Sequence, residues 1–188
     1  MQRFFLTPDI LDALSEHTRS SLISAIQVYD LLQFCVDRFG LSLQSSESAR
    51  GILFAKLYES VLKENLRPAL ISIPSVASRT LGPRINYSLI DTPIDKLTIG
   101  NFANILNDWN VQRVLSNICV VDMKQKTYDV LWWKNHQANM KQINDLRNEC
   151  CHSGGNFDSK KLESLIKCIF ETNAISEVKL YEAIANRK

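Results

Sequence analysis

The sequence lacks any long apolar run. No stretch approaches the about 18 consecutive apolar residues that a membrane-spanning helix needs. Its first residues, MQRFFLTPDILDAL, contain no apolar segment followed by a small-residue cleavage site. We therefore expect no membrane association and no secretory signal, and we expect the chain to be cytoplasmic. In that reducing compartment the five cysteines remain free thiols.

The sequence also has little net charge. The 22 Lys and Arg residues nearly balance the 20 Asp and Glu residues, and the formal net charge is +2. This balance excludes the strongly basic character of a constitutive duplex-DNA binder. It still allows a few basic residues to contact RNA locally. The sequence also contains no internal repeat and no low-complexity tract.

Helical periodicity is what the sequence does contain. Apolar residues recur at spacings of three and four, without the alternating pattern of strands. The pattern predicts an all-α helical bundle, formed by a single domain over residues 1–188. The predicted helices cover residues 8–39, 45–66, 97–109, 111–121, 126–152, 158–173 and 175–188. The apolar stripe of the first helix is predicted to include Leu14, His17, Ala25 and Leu31.

Several predicted helix ends carry their own signals. Thr7 is predicted to cap the first helix, and Gly40 is predicted to stop it. The serines at the start of the second predicted helix are able to cap it. Thr98 is predicted to cap the third helix, and either Asp158 or Ser159 to cap the sixth. These assignments rest on side chains that accept hydrogen bonds from the first backbone N–H groups of a helix.

A proline-rich segment interrupts the helices at residues 67–96. Pro68 is predicted to end or kink the second helix. The segment is predicted to form a long connection with one short helical turn. The residues predicted to pack it on the bundle are Ile71, Ile73, Leu81 and Tyr87.

The chain reads INDLRNECCHSGG at the end of a predicted helix that Gly154 and Gly155 stop. A metal site, a polar helix end and a catalytic pair are competing interpretations. Structural zinc needs paired Cys or His ligands at short spacing, whereas Cys150, Cys151 and His152 are consecutive and point about 100° apart on a helix. No CxxC or HxxxH pair exists to complete the set. We therefore expect neither a metal nor another cofactor.

The structural interpretation gives the same residues ordinary roles. A buried free cysteine behaves as a small hydrophobe, so Cys150 and Cys151 could pack where alanine also fits. Arg147 could hold a carboxylate. His152 could cap the last turn, where the helix dipole favours a cation.

The catalytic interpretation uses the nucleophile of RNA itself, the ribose 2′-hydroxyl. Cleavage needs a base for that proton, an acid for the leaving 5′-oxygen and positive charge near the phosphoryl oxygens. His152 suits proton transfer near neutral pH. Arg147 offers a fork of donors that matches phosphate. Asn148 can donate to phosphate or ribose, or it can orient His152.

Helix geometry limits how these residues meet. Asn148 and His152, four residues apart, share a face. Arg147 and His152 differ in direction by about 140°. Three arrangements could bring them together: the length of the arginine, a helix end loosened by the glycines, or a second copy of the motif in a homodimer.

The RNECCH segment resembles the R-N-x-x-x-H signature of the HEPN superfamily, the higher eukaryote and prokaryote nucleotide-binding domains. The fuller pattern LRNxxxHxG fits from Leu146 to Gly154. It departs from the usual form at Cys151, where a small alanine is commoner. Upstream, LTIGNFANIL is similar to an LTxGxxxxLL segment found in several such domains. The resemblance is best over residues 97–170, and the proline-rich segment has no place in it.

The resemblance implies a helical bundle that dimerises with its motif helices at the interface. Active family members are metal-independent RNases that leave a 2′,3′-cyclic phosphate and a 5′-hydroxyl. They serve in toxin–antitoxin pairs, phage defence, CRISPR effectors and RNA processing. Because Arg147, Asn148 and His152 are all present, the resemblance implies an endoribonuclease that acts on RNA as a homodimer. An antitoxin or another defence protein is the expected restraining partner.

Four further residues are candidates for RNA contact. Trp133 and His136 lie in the segment WWKNH, where an aromatic ring beside positive charge could stack on bases. Lys160 and Lys161 follow the motif closely and could meet phosphates. Core packing for the tryptophan and a solvated helix start for the lysines are the structural alternatives.

A second hypothesis belongs to a different class. Some HEPN proteins have lost activity, and this chain could be a helical module that dimerises or binds a defence or toxin–antitoxin partner. Exposure of the cluster at residues 147–152 favours the enzyme, whereas internal hydrogen bonds that use up its polar groups favour the module.

Overall fold

The computed structural model describes residues 8–40, 43–82, 85–122, 130–152 and 157–170, together with Tyr181. It is predominantly helical, which confirms the all-α prediction. None of its helices, over the described residues, combines the length and apolarity needed to cross a membrane. The terminal helix predicted at 175–188 and the stop at Gly154 and Gly155 lie outside the described residues.

The elements follow one another along the chain as α1 (Pro8–Ala13), α2 (Glu16–Phe39), α3 (Leu43–Val61), α4 (Arg67–Ile71), α5 (Pro74–Ala77), β1 (Thr80–Gly82), β2 (Ile85–Ser88), α6 (Ile99–Leu106), α7 (Trp109–Asp122), α8 (Val130–His152) and α9 (Ser159–Phe170). A π-helical turn at Leu62–Leu66 joins α3 to α4, and a 3-10 turn at Ile94–Lys96 precedes α6.

The chain divides into two compact units. The first contains Met1–Val61 and Gln142–Ser176, and the second contains Leu62–Lys141 and Glu177–Lys188. One division therefore falls within α8, and the motif belongs to the first unit. Organisation as a single domain over residues 1–188 stays a prediction.

The first predicted helix is two helices. α2 begins at Glu16, because the Ser15 side chain accepts a hydrogen bond from Thr18 N at 3.1 Å and caps a new helix. The prediction of an uninterrupted helix over 8–39 was therefore wrong at its first turns. Its end was predicted correctly: Gly40 adopts a left-handed conformation with φ 63°. Thr7 lies outside the described residues.

The core of the first unit forms where α3 packs between α2 and α9. Phe54 is fully buried at its centre, with its ring centroid 5.8 Å from that of Tyr29 and 5.7 Å from that of Phe170. The buried side of α2 consists of Thr18, Leu22, Ala25 and Tyr29. The predicted stripe was therefore correct at Ala25 and wrong at His17 and Leu31, both of which are exposed.

Two predictions for the second helix need correction. α3 begins at Leu43, so Ser45 and Ser46 lie inside the helix instead of capping it. Pro68 does not end a helix, because it occupies the first turn of α4, directly after the π-helical turn at Leu62–Leu66. The alternative that it kinks the helix stays a prediction.

The proline-rich segment of the second unit holds more structure than predicted. It contains α4, α5 and an antiparallel hairpin in which Thr80 pairs with Ser88 and Gly82 pairs with Ile85. Leu81 is buried as predicted, whereas Tyr87 is 65% exposed and does not pack as predicted. Thr98 is the N-cap of α6, as predicted, and its backbone N–H donates to Asn101 Oδ1 at 2.8 Å.

Candidate functional site

The motif occupies the last two turns of α8 in the first unit. Asn148 and His152 are exposed, and Arg147 is half-buried. Asn148 and His152 share the exposed face of the helix, as their spacing predicts. The four-residue spacing alone aligns the two side chains, without any contribution from the Arg147 guanidinium.

Arg147 and Asn148 are joined directly. Arg147 Nη1 donates a hydrogen bond to Asn148 Oδ1 at 3.1 Å. The asparagine therefore draws the guanidinium toward the face that carries His152. This contact uses one of the five N–H donors of the guanidinium. The Arg147 side chain can therefore still bind an anion. Within the described part of the chain, internal hydrogen bonds do not use up the polar groups of Arg147, Asn148 and His152.

Close packing on the opposite side fixes the end of α8. Cys150 is buried against α3, where Gly51 makes room for it. A Cβ atom at Gly51 would collide with Cys150 Sγ and would lie 3.0 Å from Cε1 of Phe157, which is fully buried. The end of α8 therefore packs on α3 through Cys150, at a position where only glycine leaves enough room.

The start of α9 is fastened to its surroundings by polar contacts. Asp158 Oδ1 accepts a hydrogen bond from Lys161 N at 3.0 Å, which confirms Asp158 as the predicted cap. Ser159 Oγ donates to the buried carboxylate of Glu47 on α3 at 2.7 Å. The first residue of α9 is thus hydrogen-bonded to α3.

An ion pair links α8 to α9 beside the motif. Lys161 Nζ lies 2.6 Å from Glu149 Oε2. The hydrogen bond to Glu149 raises the pKa of the Lys161 ammonium. Lys160, its neighbour, is exposed and is not part of this pair. Of the two lysines considered for RNA contact, Lys161 is therefore engaged within the protein.

The cysteines of the motif have different environments. Burial, followed by the neighbouring Cys151, raises the pKa of the Cys150 thiol to about 12. A thiol in this state is protonated at neutral pH and is a poor nucleophile. Cys151 is exposed, so it does not pack as the structural interpretation expected. Among the described residues no group of three His, Cys, Asp or Glu side chains is placed to hold a metal.

The other two RNA candidates belong to the second unit. Trp133 lies in α8, but its side chain is outside the described part of the structure. His136 is 6% exposed, and its Nε2 is 2.7 Å from Oη of the fully buried Tyr181. We therefore do not include His136 among the residues proposed to contact RNA.

The burial of His136 predicts a pH-dependent stability. Burial lowers its pKa from 6.5 to about 4. Between these values the unfolded chain binds a proton that the folded chain does not. The free energy of unfolding should therefore fall as the pH drops through this window, by about 3 kcal/mol in total. Above pH 6.5 the histidine should contribute no pH dependence.

Denaturant unfolding measured at several pH values across this window checks the prediction. The matched variant is His136→Gln, which keeps a polar side chain without a titrating group. Its unfolding free energy should vary less with pH than that of the wild type. Equal pH dependence in the two proteins would show that His136 is not the responsible group.

Sequence reasoning missed the residues that support the motif. Glu149 pairs with Lys161, Glu47 accepts from Ser159, and Gly51 admits Cys150. Gly51 could have been found, because a glycine inside a helical pattern often marks close packing. The two glutamates carry no such signal, since their partners are set by tertiary structure.

Comparison with known proteins adds no further constraint: no protein family, no characterised protein and no solved structure matches the chain. The fold and the contacts of the motif define an all-α protein with an Arg–Asn–His cluster at a helix end, in which the asparagine and the histidine are exposed.

Proposed function

We propose that the protein is a metal-independent endoribonuclease that uses Arg147, Asn148 and His152. The observation that carries this proposal is the exposure of Asn148 and His152 on one helical face, with Arg147 drawn toward that face by its hydrogen bond to Asn148. A proton-transfer group and a phosphate-binding group are thus available to solvent together. The resemblance of this segment to the HEPN signature supports the same chemistry.

The proposed reaction is attack of a ribose 2′-oxygen on the adjacent phosphorus. A bond forms between the 2′-oxygen and phosphorus, and the bond from phosphorus to the 5′-oxygen breaks. His152 takes part in proton transfer, either from the 2′-hydroxyl or to the leaving 5′-oxygen. Arg147 stabilises the charge on the phosphoryl oxygens. The products are a 2′,3′-cyclic phosphate and a 5′-hydroxyl.

The two proton transfers call for two groups, and one chain supplies one histidine at this cluster. We propose that the protein acts as a homodimer in which a second copy of the motif contributes the other group. We also propose a cytoplasmic role in toxin–antitoxin, defence or RNA-processing systems, with a protein partner that restrains cleavage.

An RNA cleavage assay in EDTA, with the product ends mapped, tests this function. Cleavage that resists EDTA and leaves a cyclic phosphate would support it, because a metal-dependent nuclease needs its ion. Absence of cleavage for every RNA class by folded protein would instead favour the helical interaction module. Metal-dependent cleavage with a 5′-phosphate product would contradict the proposed mechanism.

The two lysines beside the motif are expected to differ in RNA affinity. Lys160→Ala should weaken binding and reduce the dependence of log K on log salt by about one charge, because an exposed ammonium releases a counterion at a phosphate. Lys161→Ala should have a smaller effect, because this ammonium is paired with Glu149. Fluorescence anisotropy in a His152→Ala background measures both. A larger loss for Lys161→Ala would reverse the assignment.

A further inference from the structure

A groove lies on the surface of the first unit, between α2 and α3. Its volume is about 420 Å³, which falls within the range of about 300–1,000 Å³ that pockets for small molecules occupy. Its lining lies within Met1–Val61, so one compact unit forms the whole groove. Arg147, Asn148 and His152 do not line it, and the proposed ribonuclease therefore gives it no role.

Two contacts show how the two helices run past each other. Tyr29 of α2 has its ring centroid 5.8 Å from that of Phe54 of α3. One turn later in α2, Gln33 Oε1 accepts a hydrogen bond at 3.1 Å from Nη1 of Arg50, which lies one turn earlier in α3. The helices are therefore antiparallel. The groove lies toward the start of α2 and the end of α3.

One end of the groove is lined by polar side chains. His17, Ser21 and Ser24 follow each other at spacings of four and three residues, so they share one face of α2. Ser20 lines the groove beside them, and Ser60 lines it from α3. Within the described part of the chain, the four serine hydroxyls make no hydrogen bond. Each hydroxyl can therefore donate to a ligand.

Lys56 gives the groove its positive charge. It lines the groove from α3, and the register of the two helices places it level with the stretch of α2 between Ser24 and Val28. Among the described residues no carboxylate lines the groove, and none forms an ion pair with Lys56. Since the ammonium and the hydroxyls all offer donors, the lining is complementary to an anion.

The other end of the groove is apolar. Val28 of α2 and Leu53 of α3 line it there, and the buried side chains of Ala25 and Leu57 line it between the two ends. Along the axis of α2, Val28 lies about 10 Å from Ser21, at 1.5 Å per residue. That length accommodates an anionic group joined to one aromatic ring.

We propose that this groove binds a phosphate monoester with an apolar body. The phosphate group lies among the serine hydroxyls and the Lys56 ammonium, and the body lies against Val28 and Leu53. The number of donors favours phosphate over carboxylate, because a phosphate monoester presents three terminal oxygens and a carboxylate presents two. Lysine binds phosphate as a point charge. This site is separate from the motif and does not rest on the proposed function.

Isothermal titration calorimetry at fixed ionic strength, with phenyl phosphate as the probe, tests the site. Phenyl phosphate should bind with a Kd below about 1 mM. Inorganic phosphate should bind at least about tenfold more weakly, because it leaves the apolar end empty. Benzoate, which carries the same ring on a carboxylate, should also bind at least about tenfold more weakly, because it leaves donors unused.

Three results of this titration would overturn the inference. The first is that phenyl phosphate shows no binding at about 10 mM. The second is that inorganic phosphate binds as tightly as phenyl phosphate, which would show that the apolar end takes no part. The third is that benzoate binds as tightly, which would show that the site does not select phosphate.

Two substitutions locate the binding in the groove. Lys56→Met keeps a long side chain and removes its charge, so the Kd for phenyl phosphate should rise at least about tenfold. Ser24→Leu should weaken binding similarly by filling the middle of the groove. Both positions are exposed, and circular dichroism and the melting temperature should show that both variants are folded. Folded variants that bind phenyl phosphate like the wild type would reject the site.

The motif is another place where phosphate could bind, so two controls separate it from the groove. Lys160→Met makes the same change at an exposed lysine of α9 and should leave the Kd for phenyl phosphate unchanged. Arg147→Ala should also bind phenyl phosphate like the wild type. Binding that is lost in Arg147→Ala and kept in Lys56→Met would assign the phosphate to the motif and overturn the inference. A wild type that binds phenyl phosphate in the groove and cleaves no RNA would contradict the proposed function alone.

Discussion

His152→Ala is expected to lower the rate of RNA cleavage by at least about 100-fold, because proton transfer by a positioned side chain contributes that much or more. Arg147→Ala should cost about 100- to 1,000-fold, because the guanidinium opposes charge that develops in the transition state. Single-turnover cleavage of a labelled RNA measures both effects. Asn148→Ala should cost less than Arg147→Ala, because Asn148 holds the guanidinium through one hydrogen bond.

The control for these variants is Asp145→Ala. Asp145 is exposed on α8, three residues before Asn148 and on the same face. This variant should cleave at close to the wild-type rate, and all the proteins should melt at similar temperatures because the altered residues are not buried. Wild-type cleavage by a purified His152→Ala protein would reject the catalytic assignment.

Gly51→Val is expected to lower the free energy of unfolding of the first unit by about 3 kcal/mol. The added side chain meets Cys150 Sγ and the ring of Phe157, and overpacking of a filled core costs about 1–3 kcal/mol. A β-branched residue also recovers little of the helix propensity that glycine lacks. Denaturant unfolding followed by circular dichroism measures the change.

Two variants isolate the cause of this loss. Ala49→Val makes a β-branched change at an exposed position of the same helix and should cost less than about 1 kcal/mol. Cys150→Ala removes the sulfur that a Cβ at Gly51 would meet, so the combined variant should be less destabilised than the sum of the single changes. If the loss in the combined variant equals the sum of the two single losses, the collision with Cys150 is not the cause.

Local signals allowed several parts of the fold to be predicted. Gly40 ends α2, Thr98 caps α6 and Asp158 caps α9, because each of these residues acts through backbone groups of its immediate neighbours. The break before α2 was not predicted, because apolar spacing continues across Ser15. Despite that spacing, the Ser15 side chain caps a new helix that begins at Glu16.

Features set by tertiary contacts were harder to predict. The β1–β2 hairpin has strands of three and four residues, too short to show an alternating pattern. The buried side of α2 was misplaced because the helix is apolar on two sides, and spacing alone cannot tell a core face from an exposed one. His136 was considered for RNA contact from its basic neighbourhood, whereas its partner, Tyr181, is 45 residues away in sequence.

The motif itself was visible in the sequence, but its supports were not. The four-residue spacing of Asn148 and His152 is a property of any helix, so it was available before the structure. The hydrogen bond from Arg147 to Asn148 depends on rotamers. The ion pair from Glu149 to Lys161 depends on how α9 returns along α8.

The unequal exposure of the cysteines makes the chain suited to site-selective chemical labelling. Cys150 and Cys168 are buried, with pKa values raised by that burial, and Cys35 is half-buried. Cys151 is exposed and lies next to His152. Of these four thiols, Cys151 should react first with a maleimide fluorophore. A dye at that position would stand beside the motif and report the arrival of a ligand there by a change in its emission.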